Sequence, residues 1–290
     1  MFNLLRFVLN HPLNTRHKWR TIQRVLAWQI ASRLMTGPIA FPFVENSKLF
    51  AKRGMTGATG NYYCGLHEVS DMAFVLHALQ QNELFLDVGA NIGSYTVLAA
   101  AGPKARVISV EPIPKNFGWL QRNITLNDLG GRVQAYQVGL SGEEGTLRFS
   151  VGLDTMNHVV GLENTEESIE VPVKRLDDLV SADCPRVIKI DVEGHEYAVL
   201  RGAAKTLTNP ELLAVVMETN GSSVRYDYSD SEFVAVMQRN GFSMFSYDPF
   251  KRELKVSGLG VGNTIFVRDL AAVAERVKAA PLYRVGHTTI

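Results

Sequence analysis

From Leu84 onward, short apolar, β-branched runs alternate with amphipathic stretches, and this rhythm constrains the fold more than any other feature of the chain. The strand-like runs are Leu84–Val88, Val107–Val110, Val133–Val138, Val187–Ile190, Leu212–Met217 and Thr264–Val267, with Phe242–Tyr247 leading into the last. Helix-like segments at Ser94–Ala101, Pro114–Asn127, Leu176–Val180, Glu196–Leu207 and Ser231–Asn240 fall between them. Parallel strands need long crossovers, and right-handed crossovers place helices on both sheet faces. The expectation is therefore an α/β fold built on a doubly wound, mainly parallel seven-stranded sheet. Residues 139–173 break the rhythm. Gly142-Glu-Glu-Gly145 has the composition of a hairpin turn joining Val138 to the alternating Thr146–Val151, which predicts an antiparallel insertion after the third strand.

Upstream of this core, residues 1–50 carry helical periodicity, with Trp19, Ile22, Leu26 and Ile30 at three- and four-residue steps, until Gly37-Pro38 and Pro42 end it. Residues 51–82 hold a glycine-rich loop, Arg53–Gly65, and a helix from about Glu68 to Leu79. The division expected is a helical, basic extension or cap over 1–50, an entry loop and helix over 51–82, a core over 83–270 and a tail over 271–290.

Composition removes several classes. Of 290 residues, 46% are hydrophobic and 20% charged, which fits a globular chain and excludes wholesale disorder. A net charge of +1 argues against a dedicated nucleic-acid binder. Residues 1–44 nevertheless carry six bases (Arg6, Arg16, Lys18, Arg20, Arg24 and Arg33) and no acid, so the rest of the chain is the acidic part. Cys64 and Cys184 form neither a disulfide framework nor a metal-binding pair, and the expected compartment is the reducing cytoplasm. The apolar runs fall far short of the ~18 residues of a membrane span. Arg6, Asn10, His11 and Pro12 interrupt the first apolar stretch, which argues against a secretory signal, while its Arg-rich, acid-free character is shared with transit peptides.

The most informative segment is Leu84–Gly93. A buried strand runs into Asp87-x-Gly89-x-Asn91-x-Gly93 and a helix starts at once. Gly89 allows a tight turn and close ligand approach, and Gly93 allows close packing at the helix start. In a doubly wound sheet this is the switch point where ligands bind. The next strand ends in Glu111, placed to accept hydrogen bonds from a ribose diol. The third glycine of a dinucleotide loop is missing, and an acid facing the loop repels phosphate but suits an ammonium group. S-adenosylmethionine has an ammonium group and a ribose diol, and no phosphate.

The string Asp87-Val-Gly-Ala-Asn-Ile-Gly-Ser-Tyr-Thr96, with Val110-Glu-Pro112 and Lys189-Ile-Asp-Val-Glu-Gly-His-Glu196, resembles the FkbM family of class I S-adenosylmethionine-dependent methyltransferases. The first string places the superfamily, the last points to the subgroup, and the likeness covers roughly residues 60–250. The resemblance implies a Rossmann-like fold and O-methylation of a polyketide or sugar hydroxyl. It also implies functional roles for Asp191, Glu193 and Gly194, with Asp191 among the cofactor-binding residues, and cofactor contacts from Glu68 near the amino-acid end and from Leu140 against the adenine. Glu68 is equally an ordinary helix-start acid, and the usual adenine-binding Asp is absent from Val138–Ser141.

Asp191 ends its strand at the ligand edge, where an acid has little structural reason to be, so Asp191 and Glu193 are candidate catalytic groups. Glu196 fits the simpler role of an acid at a helix entrance. Asp191, Glu218 and Asn220 offer oxygen ligands of the kind Mg²⁺ takes, but Glu218-Thr-Asn220 departs from the Asp-Asn pair of metal-dependent methyltransferases, and no metal is favoured. A hydroxyl acceptor needs a base, and His67, His158 and His195 are available; His158 is preferred because it lies in the insertion. An NAD-dependent oxidoreductase and a non-catalytic module using the basic N-terminal helix are the competing functions. The partners expected are a small-molecule or glycan acceptor and no nucleic acid, with peripheral membrane contact through residues 1–44 open and the oligomeric state undetermined.

Overall fold

Strand register decides where the functional groups meet. A computed structural model describes residues 2–152, 157–161, 167–180, 183–226, 228–260, 262–286 and 288–290. In chain order the elements begin with α1 (Phe2–Asn10), α2 (Lys18–Leu34), β1 (Ile39–Pro42), β2 (Lys48–Ala51), α3 (Thr56–Cys64) and α4 (Val69–Ala78). The core follows with β3 (Leu84–Val88), α5 (Ser94–Ala101), β4 (Arg106–Val110), α6 (Pro114–Leu126) and β5 (Val133–Tyr136). Next come β6 (Gly139–Leu140), β7 (Gly145–Ser150), β8 (Ser168–Lys174), α7 (Leu176–Leu179), β9 (Val187–Ile190), α8 (Glu196–Arg201), α9 (Ala204–Thr208) and β10 (Ala214–Glu218). The chain ends with α10 (Asp230–Arg239), β11 (Ser243–Asp248), β12 (Glu253–Val256), β13 (Asn263–Val267), α11 (Leu270–Ala279), β14 (Arg284–Val285) and β15 (Thr288–Thr289).

The central sheet has the order β12-β11-β13-β10-β9-β3-β4-β5. Strands β10, β9, β3, β4 and β5 are parallel, and β13, β11 and β12 complete the sheet antiparallel. All seven expected strands are present, and the eighth, β12, pairs with β11 at the edge. Every residue of β3 is buried, as a central parallel strand covered on both faces must be. One face packs Phe74, Val97, Leu98, Val107 and Val273, and the other packs Leu86, Ile188, Val199, Phe233 and Met237.

Four local expectations are revised. Arg53–Gly65 is not a loop through its length: Thr56–Cys64 is helical and buries Ala58, Asn61, Tyr63 and Cys64, so packing outweighs the low helix propensity of its glycines. Glu196–Leu207 is two helices, α8 and α9, broken around Gly202, where an added Cβ would lie 2.2 Å from the Ser141 carbonyl oxygen. In the insertion, β6 and β7 do not form a hairpin. Strand β8 lies between them, parallel to β6 and antiparallel to β7. Residues 153–156 and 162–166 of this insertion, including Asp154–Met156 of the expected acceptor loop, lie outside the described residues.

The fourth revision concerns α2. It docks through Thr21, Val25 and Trp28, whereas Trp19, Leu26 and Ile30, the stripe marked by periodicity, stay exposed. Trp28 packs on Tyr62 of α3 at 5.0 Å between ring centroids. Residues 1–50 and 271–290 are less separate than their sequence suggests. Val8, Phe41, Val277 and Ile290 share the core with the sheet, and Val285 bridges to Val44. Among the described residues, no helix is long and apolar enough to cross a membrane.

Candidate functional site

Val88 is paired with both Val110 and Ile190, and Ile190 with Met217. The next residues along those four strands are Gly89, Glu111, Asp191 and Glu218, so they end level at the carboxyl edge. Asn263, opening β13 in the reverse direction, pairs with Glu218 and extends the row. A cleft of about 270 Å³ lies over this row, walled by Thr56, Gly57 and Asn61 from α3, by His67 and Glu68, and by Tyr95 from α5. This is where a doubly wound sheet places its ligand, between strands whose crossovers leave in opposite directions.

The loop after β3 is built for close approach. Gly89 has φ +78° and sits so near β9 that a Cβ would lie 1.8 Å from the Asp191 carbonyl oxygen. Asn91 also takes a left-handed conformation, φ +50°, and its N–H donates to Glu111 Oε2 at 2.8 Å. Glu111 Oε1 accepts from the Ile113 N–H at 2.9 Å. Burial pushes the Glu111 carboxyl up to about 7, against the pull of these two donors. Asp87 accepts from the Thr96 hydroxyl at 2.6 Å, and burial pushes it up to about 6.

A second cluster surrounds Lys189, which points from the middle of an otherwise apolar strand and is 1% exposed. Its ammonium donates to Asp191 Oδ2 and to Asn263 Oδ1, both at 3.0 Å. Asn263 in turn donates to Glu68 Oε1 at 3.0 Å and to Asp71 Oδ2 at 3.1 Å, while the Tyr95 hydroxyl donates to Glu68 Oε2 at 2.7 Å. Burial disfavours the ammonium, but Asp191 and Glu68 outweigh it and hold Lys189 charged beyond the ordinary lysine range. Carboxylate oxygens of Asp191, Glu193 and Glu218 lie within 4.8 Å of one another. Burial, then Asp191 and Glu196, pushes Glu193 up to about 7; burial, Asp191 and Glu193 push Glu218 up as well. Oε2 of Glu218 is buried without a hydrogen-bond partner among the described residues.

Of the residues singled out in sequence, Glu68, Asp87, Gly89, Asn91, Glu111, Asp191 and Glu193 line this cleft. Gly93, Leu140 and His158 do not. Gly93 is the N-cap of α5, where a Cβ would meet Leu120. Leu140 is buried in the same core cluster as Ile108 and Val110. The His158 backbone N–H donates to Ser150 Oγ at 2.9 Å and its carbonyl accepts the Ser150 N–H, while its ring Nδ1 lies 3.3 Å from the same hydroxyl, so the imidazole packs against β7 within the insertion. His195 stacks edge-on against Tyr226 outside the cleft, and burial lowers it to about 4. Glu196, the first residue of α8, accepts the Val192 and Gly194 N–H groups of the preceding loop. Asn220 donates its amide to Glu218 Oε1, and the acid that clusters with Asp191 and Glu218 is Glu193.

The domain model for the methyltransferase FkbM domain matches residues 87–244, more than half of the chain. The chain belongs to the FkbM methyltransferase family. Relatives include Methyltransferase 1 of Beauveria bassiana, 31% identical over 46% of this chain and 63% of its own length. The hexuronic acid methyltransferase AglP of Haloferax volcanii is 32% identical, covering 49% and 58%. Methyltransferase sdnD of Sordaria araneosa is 30% identical, covering 46% and 65%. The chain thus spans less than two thirds of the length of the curated relatives it matches.

Within this FkbM domain the three strings that carried the resemblance supply the two halves of one row: Asp87–Gly93 with Glu111 on one side, Lys189–Glu193 on the other. Membership in a methyltransferase family tells against the NAD-dependent oxidoreductase. Sequence reasoning missed Lys189, Tyr95, Asp71 and Asn263 as members of the site. Lys189 had a signal, since a lone cation inside Val187-Ile-Lys-Ile190 demands buried counter-charge. Asn263 had none, because its partners lie 195 and 192 residues away in Glu68 and Asp71.

Proposed function

We propose that the chain is an S-adenosylmethionine-dependent O-methyltransferase acting on a hydroxyl of a small molecule, a sugar or a polyketide. The observation that carries this reading is the level row of Glu111, Gly89, Asp191 and Glu218 at the switch point, within an FkbM domain. The donor set fits the cofactor. The Glu111 oxygens accept the Asn91 and Ile113 N–H groups and a bond from the Asn116 side chain, which leaves one lone pair for a ribose hydroxyl. Asp87, Glu68 and the unpartnered Glu218 Oε2 give the cleft an acidic wall suited to an ammonium group and hostile to phosphate. Gly89 and Asn91 line the cleft over the strand ends, where such a ligand would lie.

Bound there, S-adenosylmethionine supplies a methyl group open to in-line displacement. The chain's own tasks are alignment and proton removal. Lys189 fixes Asp191 in place and offsets its charge. Glu193, poised at about 7, is the cleft group best matched to accept a hydroxyl proton at neutral pH, and it replaces His158 in that role. The relative named for hexuronic acid supports a sugar acceptor.

Calorimetry with S-adenosylmethionine and with NAD tests the cofactor, and labelled methyl transfer onto a panel of glycans and polyketides tests the acceptor. One mole of S-adenosylmethionine bound per chain, with no heat from NAD, is the expected result. Binding of NAD alone would overturn the assignment.

A further inference from the structure

We infer that helix α2, with α1 beside it, is a docking face for an anionic lipid bilayer. Helix α2 is apolar on two opposite sides. One side, Thr21, Val25 and Trp28, is buried in the domain. The other presents Trp19 (71% exposed), Leu26 (57%), Ile30 (60%) and Leu34 (78%), spaced so that they form a single stripe along a helix of 3.6 residues per turn. Phe7 of α1 and Met35 just past α2 are exposed as well. Six of the twelve large hydrophobic residues exposed among the described residues therefore fall between positions 7 and 35. A concentration of this kind on an otherwise polar surface marks a contact site.

Charge identifies the occupant. Arg6, Arg16, Lys18, Arg20 and Arg33 are exposed around the stripe, no acid occurs before Glu45, and none of the five is ion-paired among the described residues. A second copy of the chain would set two acid-free basic faces against each other, with no counter-charge to offset the repulsion. A nucleic acid would satisfy the cations but leave Leu26, Ile30 and Leu34 in water. An anionic bilayer uses both features, taking the apolar side chains into the acyl boundary while headgroup phosphates meet the cations. The position suits such contact, because α2 rests through Trp28 on Tyr62 of α3, and the adjacent Asn61 lines the cleft.

Vesicle sedimentation of the full chain tests the proposal, with phosphatidylcholine vesicles alone and with vesicles containing phosphatidylglycerol. The chain should sediment with the phosphatidylglycerol vesicles at low salt and stay in the supernatant with phosphatidylcholine alone. Replacing Trp19→Ser, Leu26→Ser and Ile30→Ser together should lower the partition coefficient at least about tenfold, the equivalent of ~1.4 kcal/mol, without changing the thermal midpoint. Arg16→Glu, Lys18→Glu and Arg20→Glu together should abolish sedimentation with the anionic vesicles. Three results would each overturn the assignment: a wild-type chain left in the supernatant, serine substitutions that leave binding unchanged, or a concentration-dependent dimer that they dissolve. Retention on nucleic acid without retention on vesicles would overturn it too.

Discussion

The Lys189 ammonium on β9 and the carboxylate of Asp191, the first residue past that strand, meet at 3.0 Å on the edge of the cleft. Lys189 is enclosed and Asp191 is open to the cleft, so the cation is a fixed charge beneath the cleft floor. Lys189→Met removes the charge that balances Asp191 and leaves Asn263 Oδ1 without its donor. Breaking one side of a buried pair typically costs about 3–5 kcal/mol. Chemical denaturation should show a loss of that order, and methyl transfer should fall even under conditions where the variant is folded. A variant as stable as the wild type would mean that the pair is solvated and the site differently arranged.

Glu111 gives the cleanest test of the cofactor's orientation. Glu111→Ala removes the acceptor assigned to the ribose and also strips the Asn91 and Ile113 N–H groups of their partner. Affinity for S-adenosylmethionine should weaken by about 1.5–3 kcal/mol, the value typical of a hydrogen bond to a charged group. Calorimetry on the variant, with circular dichroism to confirm the fold, measures this. Unchanged affinity would move the ribose elsewhere.

Much of this arrangement was legible in the sequence, and the limits have physical causes. Strand–helix alternation gives the sheet because a buried parallel strand must be apolar throughout, and Asp87, Glu111 and Asp191 stand out as acids where such strands stop. The face of α2 was not legible, since periodicity marks an apolar stripe but says nothing of which side finds a partner; here Thr21 is buried and Ile30 is not. Strand β8 inserts between β6 and β7 because pairing is set by long-range packing, which a turn sequence such as Gly142–Gly145 does not encode. The insertion loop points to His158 as a base, yet its backbone and its ring both meet Ser150, which holds it against β7.

Glu193 should impose a pH limb on turnover. Its carboxyl is raised from 4.5 to about 7, so below that value it holds a proton and accepts none from the substrate. Turnover should rise with pH through about 7 and level off above it, and Glu193→Gln should lower the plateau and remove the limb. The limb belongs to the Asp191, Glu193 and Glu218 cluster, whose members feel one another's charge. Stability gives an independent readout. Between 4.5 and about 7 the folded Glu193 binds a proton that the unfolded chain releases, so this residue favours the unliganded fold as pH falls through that window. The difference in thermal midpoint between wild type and Glu193→Gln should therefore change across that window and be flat above it.

The carboxylates of Asp191, Glu193 and Glu218 stand close enough to hold a divalent cation, and chelation decides whether they do. Oxygen-rich sites of this kind suit Mg²⁺, which would lower the acceptor's pKa without a protein base. The structure already supplies the compensating charge: Lys189 lies 3.0 Å from Asp191, and Asn220 donates its amide to Glu218 Oε1. A cation binding there would face the Lys189 ammonium at short range, and the raised proton affinity of Glu193 and Glu218 further weakens them as ligands near neutral pH. Methyl transfer should survive EDTA and gain nothing from added Mg²⁺. Loss of activity on chelation, restored by Mg²⁺ alone, would reassign Asp191, Glu193 and Glu218 as metal ligands and remove Glu193 as the base.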